Sequence, residues 1–356
     1  MVPVDIQAED DDPPAARLRE HAQHGKRKPP ATIYDIARET GLNASTVSRA
    51  LNVPGRINAK TEKRVRDAAS LLGYRFNPMA RALPTGRTST LALLLSDITN
   101  PAYFPLMRGA EHVSTCEGHT LLVADAHESA ENELATASRL QSSVDGLVLV
   151  ASRLTDTSIR ELAELKPVVL VNRRVPGVPS VVPDIAPGIR AALEHLVGFG
   201  HRSVAYLAGP SASWMSHHRW EILLDLAPGL GLSIVAIGPS SPTVEGGGDV
   251  LRRVRASGVS AVIAYNDLMA IGLLRACADS GVKVPNDLSI IGFDDIFGSD
   301  FTTPGITTIR TPLKDVGESA VQRLIDDIRG AASEEPSALS TELVVRGSTT
   351  VRGAAA

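Results

Sequence analysis

The sequence predicts a three-helix, all-α head with a hinge, followed by an α/β body of two doubly wound lobes built on parallel sheets. Three observations predict it. Residues 32 to 72 draw short amphipathic helices with good capping residues, and from residue 90 onward apolar runs of strand length alternate with helical stretches. Charge is also segregated. Residues 24 to 88 carry thirteen Lys or Arg against four Asp or Glu, or +9, and residues 1 to 23 carry −4, which leaves −9 for the rest of a chain whose total is −4. A basic head on an acidic body suits a polyanionic ligand for the head alone. Four segments follow: an arm (1–30), the head (31–76), a hinge with linker (77–88) and the body (89–356).

In the head, Thr32 is placed to cap a helix, with Asp35 three residues on and Ile33, Ile36 and Ala37 on one face. Gly41 breaks that helix. Asn43 caps a second, in which Val47, Ala50 and Leu51 face inward while Ala44, Ser45, Ser48 and Arg49 face out. Small residues and hydroxyls on that outer face would let a helix enter a DNA major groove, where Arg49 can fork onto guanine. Thr32, Tyr34, Thr46 and Asn52 complete the DNA-facing set. A third helix runs from Asn58 to Leu72, with Val65, Ala68, Ala69 and Leu72 inward, and Gly73 stops it. An ordinary helical hairpin is the alternative for the first two helices, and it does not require the third helix or the segregated charge.

In the body, residues 91–95, 120–124, 146–150, 167–171, 203–208, 261–265 and 288–293 read as buried strands. Helical stretches lie between them: Pro105 to Glu117, Glu131 to Ser142, Pro187 to Gly198, Asp267 to Ser280 and Pro312 to Arg329. Such alternation implies parallel sheets covered on both faces. Ligands of such lobes gather at strand C-termini. Polar groups stand there: Asp97, Asn100, Asp125, Asn172, Arg173, Asn266, Asp267, Asp294 and Asp295. Each alone suits a turn or cap, but together they suggest a cleft for a polyhydroxylated small molecule. Tyr103 and Phe104 would close it from one side, and Trp214 would offer a ring for stacking. There is no Walker motif, G-x-G-x-x-G spacing, nucleophile elbow or metal-ligand cluster, and Gly246 to Gly248 reads as a loop tract. We therefore expect no cofactor, no metal and no enzymatic activity.

The run TIYDIARETGLNASTVSRALN, with RINAKTEKRVRDAASLLGYRFNPMARAL after it, closely resembles the DNA-binding headpiece and hinge of the LacI/GalR family of bacterial transcription regulators. The body resembles that family's periplasmic-binding-protein-like effector domain over essentially its whole length, through NPAYF, DGLVLVAS, VVLVNRR, FGHRSVAYLAGP, YNDLMAIGLL, GVKVPNDLSIIGFDD and TTIRTP. The resemblance implies that Ala44, Ser45 and Arg49 face base edges, and that residues 78 to 83 form a hinge helix on operator DNA. There Leu83 would wedge into the minor groove beside Arg81, with Pro84 ending the helix. It further implies that Arg219, Asn266 and Asp294 clamp a small effector, a sugar or a derivative, between lobes joined by three crossings, one of them near Asp184. The sequence departs from the family after Arg219, in WEILLDLAPGLGLSI and the Gly/Ser/Pro-rich loop from Gly238 to Gly248.

The resulting expectation is a sequence-specific repressor whose operator affinity is set by that effector. It would act as a homodimer on a pseudo-palindromic operator, since one short helix reads too few bases. No heptad repeat follows Arg346 to make a tetramer. The acidic, Pro-rich arm with its KRK at 26–28 reads as disordered, lacks the apolar core of a secretion signal, and is followed by no run near the ~20 apolar residues of a membrane span. Two cysteines, Cys116 and Cys277, make neither a disulfide framework nor a zinc site. The expected compartment is the bacterial cytoplasm, on the nucleoid. Two rivals were weighed: an exported sugar-binding transport protein would need an export signal and no basic head, and an α/β enzyme would need a catalytic constellation.

Overall fold

The computed structural model describes residues 31–52, 55–74, 87–331 and 339–352. The chain divides into two compact units, Met1–Asn77 and Pro78–Ala356.

The first unit holds α1 (Ile33–Thr40), α2 (Ala44–Asn52) and α3 (Ala59–Leu71). The expected capping box starts α1: Asp35 N–H donates to Thr32 Oγ1, and Thr32 N–H donates to the Asp35 carboxylate at 2.9 Å. Such a cap contributes about 1 kcal/mol. Gly41 ends the helix at φ 63°, a conformation a side chain would strain. The Asn43 carbonyl accepts from the amides of Thr46 and Val47, which starts α2. At the far end of α3, the Tyr74 amide returns to the Ala69 carbonyl and that of Gly73 to Ser70, a Schellman turn that folds Tyr74 onto the core. That core is Ile36, Val47, Ala50, Val65, Ala68 and Ala69, all facing inward as their spacing predicts.

In the second unit, β1 (Thr90–Leu95), β2 (Thr120–Asp125), β3 (Gly146–Val150), β4 (Val168–Val171) and β5 (Ser180–Val181) form a parallel sheet in the order β2-β1-β3-β4-β5. Helices α4 (Tyr103–Cys116), α5 (Ala130–Leu140) and α6 (Asp156–Leu165) connect its strands. The second lobe carries α7 (Ala186–Gly198), β6 (Ser203–Leu207), α8 (Trp214–Leu226), β7 (Ser233–Ile237), α9 (Val244–Asp249), α10 (Leu251–Ser257), β8 (Ala261–Ala264), α11 (Asp267–Asp279), β9 (Ser289–Asp294) and β10 (Thr307–Arg310). Its sheet order is β11-β10-β9-β8-β6-β7, where β11 (Glu342–Val344) lies antiparallel on the edge of an otherwise parallel sheet. No helix among the described residues is long and apolar enough to cross a membrane.

One local reading is corrected. Gly246 to Gly248 lie in α9, because Thr243 Oγ1 accepts from the Gly246 amide and starts a helix where composition suggested a loop. The glycines let α9 lie directly on α11. A Cβ on Gly247 would strike the Met269 carbonyl, and one on Gly272 the Val244 carbonyl. The strands β7, β10 and β11 and the helices α6, α9 and α10 lay outside the sequence reading.

The last long helix, α12 (Leu313–Arg329), belongs to the first lobe although its neighbours in sequence belong to the second. The chain therefore crosses between lobes three times: after β5, after β10, and on the way to β11. Two crossings are tied together, since the Asp184 amide donates to the Leu339 carbonyl and the Thr341 amide to the Asp184 carbonyl, at 3.0 and 3.1 Å. Asp184 does mark a crossing.

Candidate functional sites: a helical face and an interlobe cleft

On the head, burying Val47 and Ala50 turns the opposite side of α2 outward. Ser45 and Arg49 are exposed there, with Ala44, Thr46 and Ser48 half-buried, and Arg49 Nε donates to the Ser45 carbonyl at 3.3 Å. Tyr34 and Thr32 are exposed at the start of α1. Asn52 is the last residue of α2; its side chain, like Arg81, Leu83 and the whole hinge helix predicted over 78–83, lies outside the described residues.

Between the lobes, the C-terminal ends of the two sheets meet around a narrow cavity of ≈ 20 Å³. Asn100, Ala102, Tyr103, Ala151 and Asn172 line it from the first lobe, and Met215, Arg219, Tyr265 and Asp294 from the second. The backbone around it is strained in a consistent place. Of the seven non-glycine residues with positive φ among the described residues, six (His127, Glu128, Ala151, Asn172, Asp294 and Asp295) sit at or just after the ends of β2, β3, β4 and β9. Such conformations cost about 1–3 kcal/mol each outside glycine and concentrate where a site dictates the backbone. Seven ordinary turns would be spread over the surface.

Arg219 is the centre of the second-lobe wall. Its Nη2 donates to Asp294 Oδ1 at 3.1 Å, its Nη1 donates to the Tyr265 carbonyl, and its guanidinium lies 3.6 Å from the Phe293 ring centroid and 4.9 Å from that of Tyr265. Burial raises the Asp294 pKa above the ordinary carboxylate value, while Arg219 opposes the rise. Across the cleft, Tyr103 Oη and Ser96 Oγ share a hydrogen bond at 2.9 Å, and burial pushes that phenol well above its usual range. The Tyr265 hydroxyl pairs with Ser213 Oγ at 3.1 Å.

Of the residues singled out from sequence, Asn100, Tyr103, Asn172, Arg219 and Asp294 meet in this cavity. The others do different work. Asp97 accepts from the Thr99 amide and hydroxyl, Asp125 from the amides of Ile98 and His127, and Asn266 caps α11 through Met269 while donating to the Pro242 carbonyl. Phe104 is exposed, and Trp214 stacks obliquely on His218 at 4.7 Å. The cavity instead takes Met215, one residue past Trp214 on α8, together with Tyr265, the residue that ends the AVIAY run. The position of Tyr265 after a strand was the available signal; nothing in the sequence distinguishes Met215 from Trp214.

Behind the cleft wall, Asp267 is fully buried and accepts from the Ile296 amide at 2.8 Å and the Thr308 hydroxyl at 2.6 Å. Desolvation pushes its pKa up to about 8. A folded-state pKa above the unfolded one means that the folded protein holds the proton more tightly, so this contribution is lost as pH rises through about 8. We expect the urea midpoint to fall between pH 7 and pH 9, and to fall less in Asp267→Asn, whose amide can meet both partners. Equal pH dependence in the two proteins would show that Asp267 does not change protonation state between pH 7 and pH 9.

A helical head with an exposed recognition face and a two-lobed body with an interlobe cleft define a class: a helix-turn-helix protein fused to a periplasmic-binding-protein-like domain. Residues 32–77 match the bacterial regulatory proteins of the lacI family, and residues 193–349 match the periplasmic binding protein-like domain. The chain is 32% identical over 333 residues to the HTH-type transcriptional repressor CytR of Escherichia coli (strain K12), covering 91% of this chain and 98% of that protein. The chain belongs to the lacI family of bacterial regulatory proteins. It is also 32% identical to the HTH-type transcriptional regulator GalS of Salmonella typhimurium, over 84% of this chain and 90% of that one. Among solved structures, the lac repressor dimer bound to operator and the anti-inducer ONPF superposes with a TM-score of 0.81 at 26% identity, covering 90% of this chain and 100% of that one. A complex of the transcriptional regulator CelR with cellobiose gives 0.66 at 27% identity, covering 89% and 99%.

Proposed function

We propose that this protein is a transcriptional repressor: residues 31–76 read operator DNA, 77–88 form the hinge, and 89–356 dimerise and bind a small polar effector, a sugar or a derivative, between the lobes. The observation that carries the reading is the outward face of α2, where Ser45 and Arg49 stand exposed on a helix whose other face is buried. The relatives support it, since one solved structure is a repressor dimer on its operator and others hold cellobiose or ribose. Ala44, Ser45, Thr46, Ser48 and Arg49 face the major groove, with Thr32, Tyr34 and Asn52 beside them; Arg81 and Leu83 engage the minor groove. Tyr103, Arg219 and Asp294 hold the effector. An effector changes operator affinity only by binding two lobe arrangements unequally. The work is cytoplasmic, on the nucleoid, and two subunits read a pseudo-palindrome.

The test is a salt-titrated binding assay on DNA from the protein's own upstream region. Specific binding should weaken steeply with salt. Arg49→Ala should cost about 1–3 kcal/mol, or about 5- to 150-fold, and relax discrimination at one base pair. Leu83→Ala should weaken specific binding and reduce DNA bending. Equal affinity for all DNA, unchanged by either substitution, would remove the proposal.

A further inference from the structure

We infer that the acidic run at 9–12 of the N-terminal arm docks on the basic face of the head, an autoinhibitory contact that DNA must displace. The inference rests on the DNA-binding reading above and adds what covers that face when no DNA is bound.

The head has cations left over. Arg38 pairs with Asp35, Lys63 with Asp67 and Arg66 with Glu62, so three of its four carboxylates are engaged locally. Arg49, Arg56, Lys60 and Arg64 are exposed and form no ion pair among the described residues. They follow one another closely: Arg49 near the end of α2, Arg56 between the helices, Lys60 in the first turn of α3 and Arg64 a turn later. Four like charges so placed repel one another, and a polyanion laid across them relieves the repulsion.

The chain carries such a polyanion. Glu9, Asp10, Asp11 and Asp12 are four consecutive carboxylates, in a segment (1–23) of net charge −4. At about 3.4 Å of chain per residue they match the charge density of one strand of duplex DNA, about one phosphate per 3.4 Å of axis. Length permits the contact. Twenty residues separate Asp12 from Thr32, where the head begins, a reach of up to about 70 Å against a radius of gyration of about 9 Å for a unit of that size. Tethering sets an effective concentration on the order of millimolar, at which several individually weak surface ion pairs suffice. The body, at −9, repels the run as a whole. The competing partner is the arm's own Lys26, Arg27 and Lys28, which lies nearer in sequence.

The test compares the full chain with a variant in which the run is neutralised (Glu9→Gln, Asp10→Asn, Asp11→Asn and Asp12→Asn), on a duplex of arbitrary sequence. The substitutions touch none of the described residues. Cations already held by the arm have released their counterions, so the neutralised variant should show the steeper salt dependence. It should bind about tenfold tighter at about 50 mM salt, with a log–log slope steeper by about 2, and the two curves should meet at about 150 mM. A zero-length carbodiimide should join Lys60 to the run in the DNA-free wild type, and added duplex should abolish that crosslink, which general repulsion between arm and DNA would not produce. Equal affinity and slope in the two proteins, or crosslinks that stop at Lys26 and Lys28, would overturn the inference and leave the DNA-binding reading standing. Absence of salt-sensitive DNA binding in both proteins would remove that reading, and this inference with it.

Discussion

Arg219→Ala should destabilise the second lobe by about 3–5 kcal/mol, the usual cost of leaving one partner of a buried ion pair behind. The side chains of Arg219 and Asp294 are only 6% and 12% exposed, so solvent screens little of the loss. Both tryptophans of the chain, Trp214 and Trp220, lie on α8, so their fluorescence during urea unfolding reports this lobe. The pH dependence has a definite sign. Without the guanidinium, the folded-state pKa of Asp294, already raised by burial, rises further, and the deficit should shrink as pH falls and the carboxyl takes up a proton. Arg219→Met with Asp294→Asn should recover much of the stability while abolishing effector binding. A deficit below about 1 kcal/mol in Arg219→Ala would mean that the pair behaves as a surface contact.

Gly272→Ala should be the most damaging single methyl in the body. On most helices that change is favourable by about 1 kcal/mol. Here the new Cβ would be driven into the Val244 carbonyl of α9, and a backbone oxygen cannot rotate away as a side chain can. Overpacking of this kind costs about 1–3 kcal/mol or more, enough to separate the two helices. Gly198→Ala is the matched control, because its Cβ would meet nothing within 4 Å at the end of α7, and it should be neutral or slightly stabilising. If the two variants melt together, the close approach of α9 and α11 is not what holds this side of the lobe.

How far the sequence could be read follows from what each element depends on. The head was legible residue by residue, since caps, glycine stops and inward apolar positions are local properties: Thr32 caps α1 as its hydroxyl allows, and Gly41 and Gly73 take the positive φ that glycine permits. Strands buried on both faces were legible as continuous apolar runs. The edge strand β7 carries an apolar run, Ile234 to Ile237, but half of it is exposed and it lies in the stretch that departs from the family, whereas α9 was hidden because its glycines answer to a neighbouring helix rather than to their own propensity. The cleft divided along the same line. Arg219 was legible only through the family resemblance and Asp294 through that resemblance and its place after a strand, whereas Asp97, Asp125 and Asn266 stand at equivalent strand ends and are consumed by turns and caps. Only three-dimensional distances separate the two groups.

The three crossings bear on how the protein is made. The core of the first lobe includes Leu313, Val316, Ala320, Val321, Leu324 and Ile325, which leave the ribosome 132 to 144 residues after its last strand, β5. At ordinary elongation rates that is a wait of about 7 to 30 s. The head, complete by Tyr74, can fold and meet DNA while the lobe beside it in sequence still has an open apolar face. Nascent chains are thus exposed to aggregation for the whole synthesis of the second lobe, and a message truncated before residue 313 would yield a head with no foldable lobe behind it.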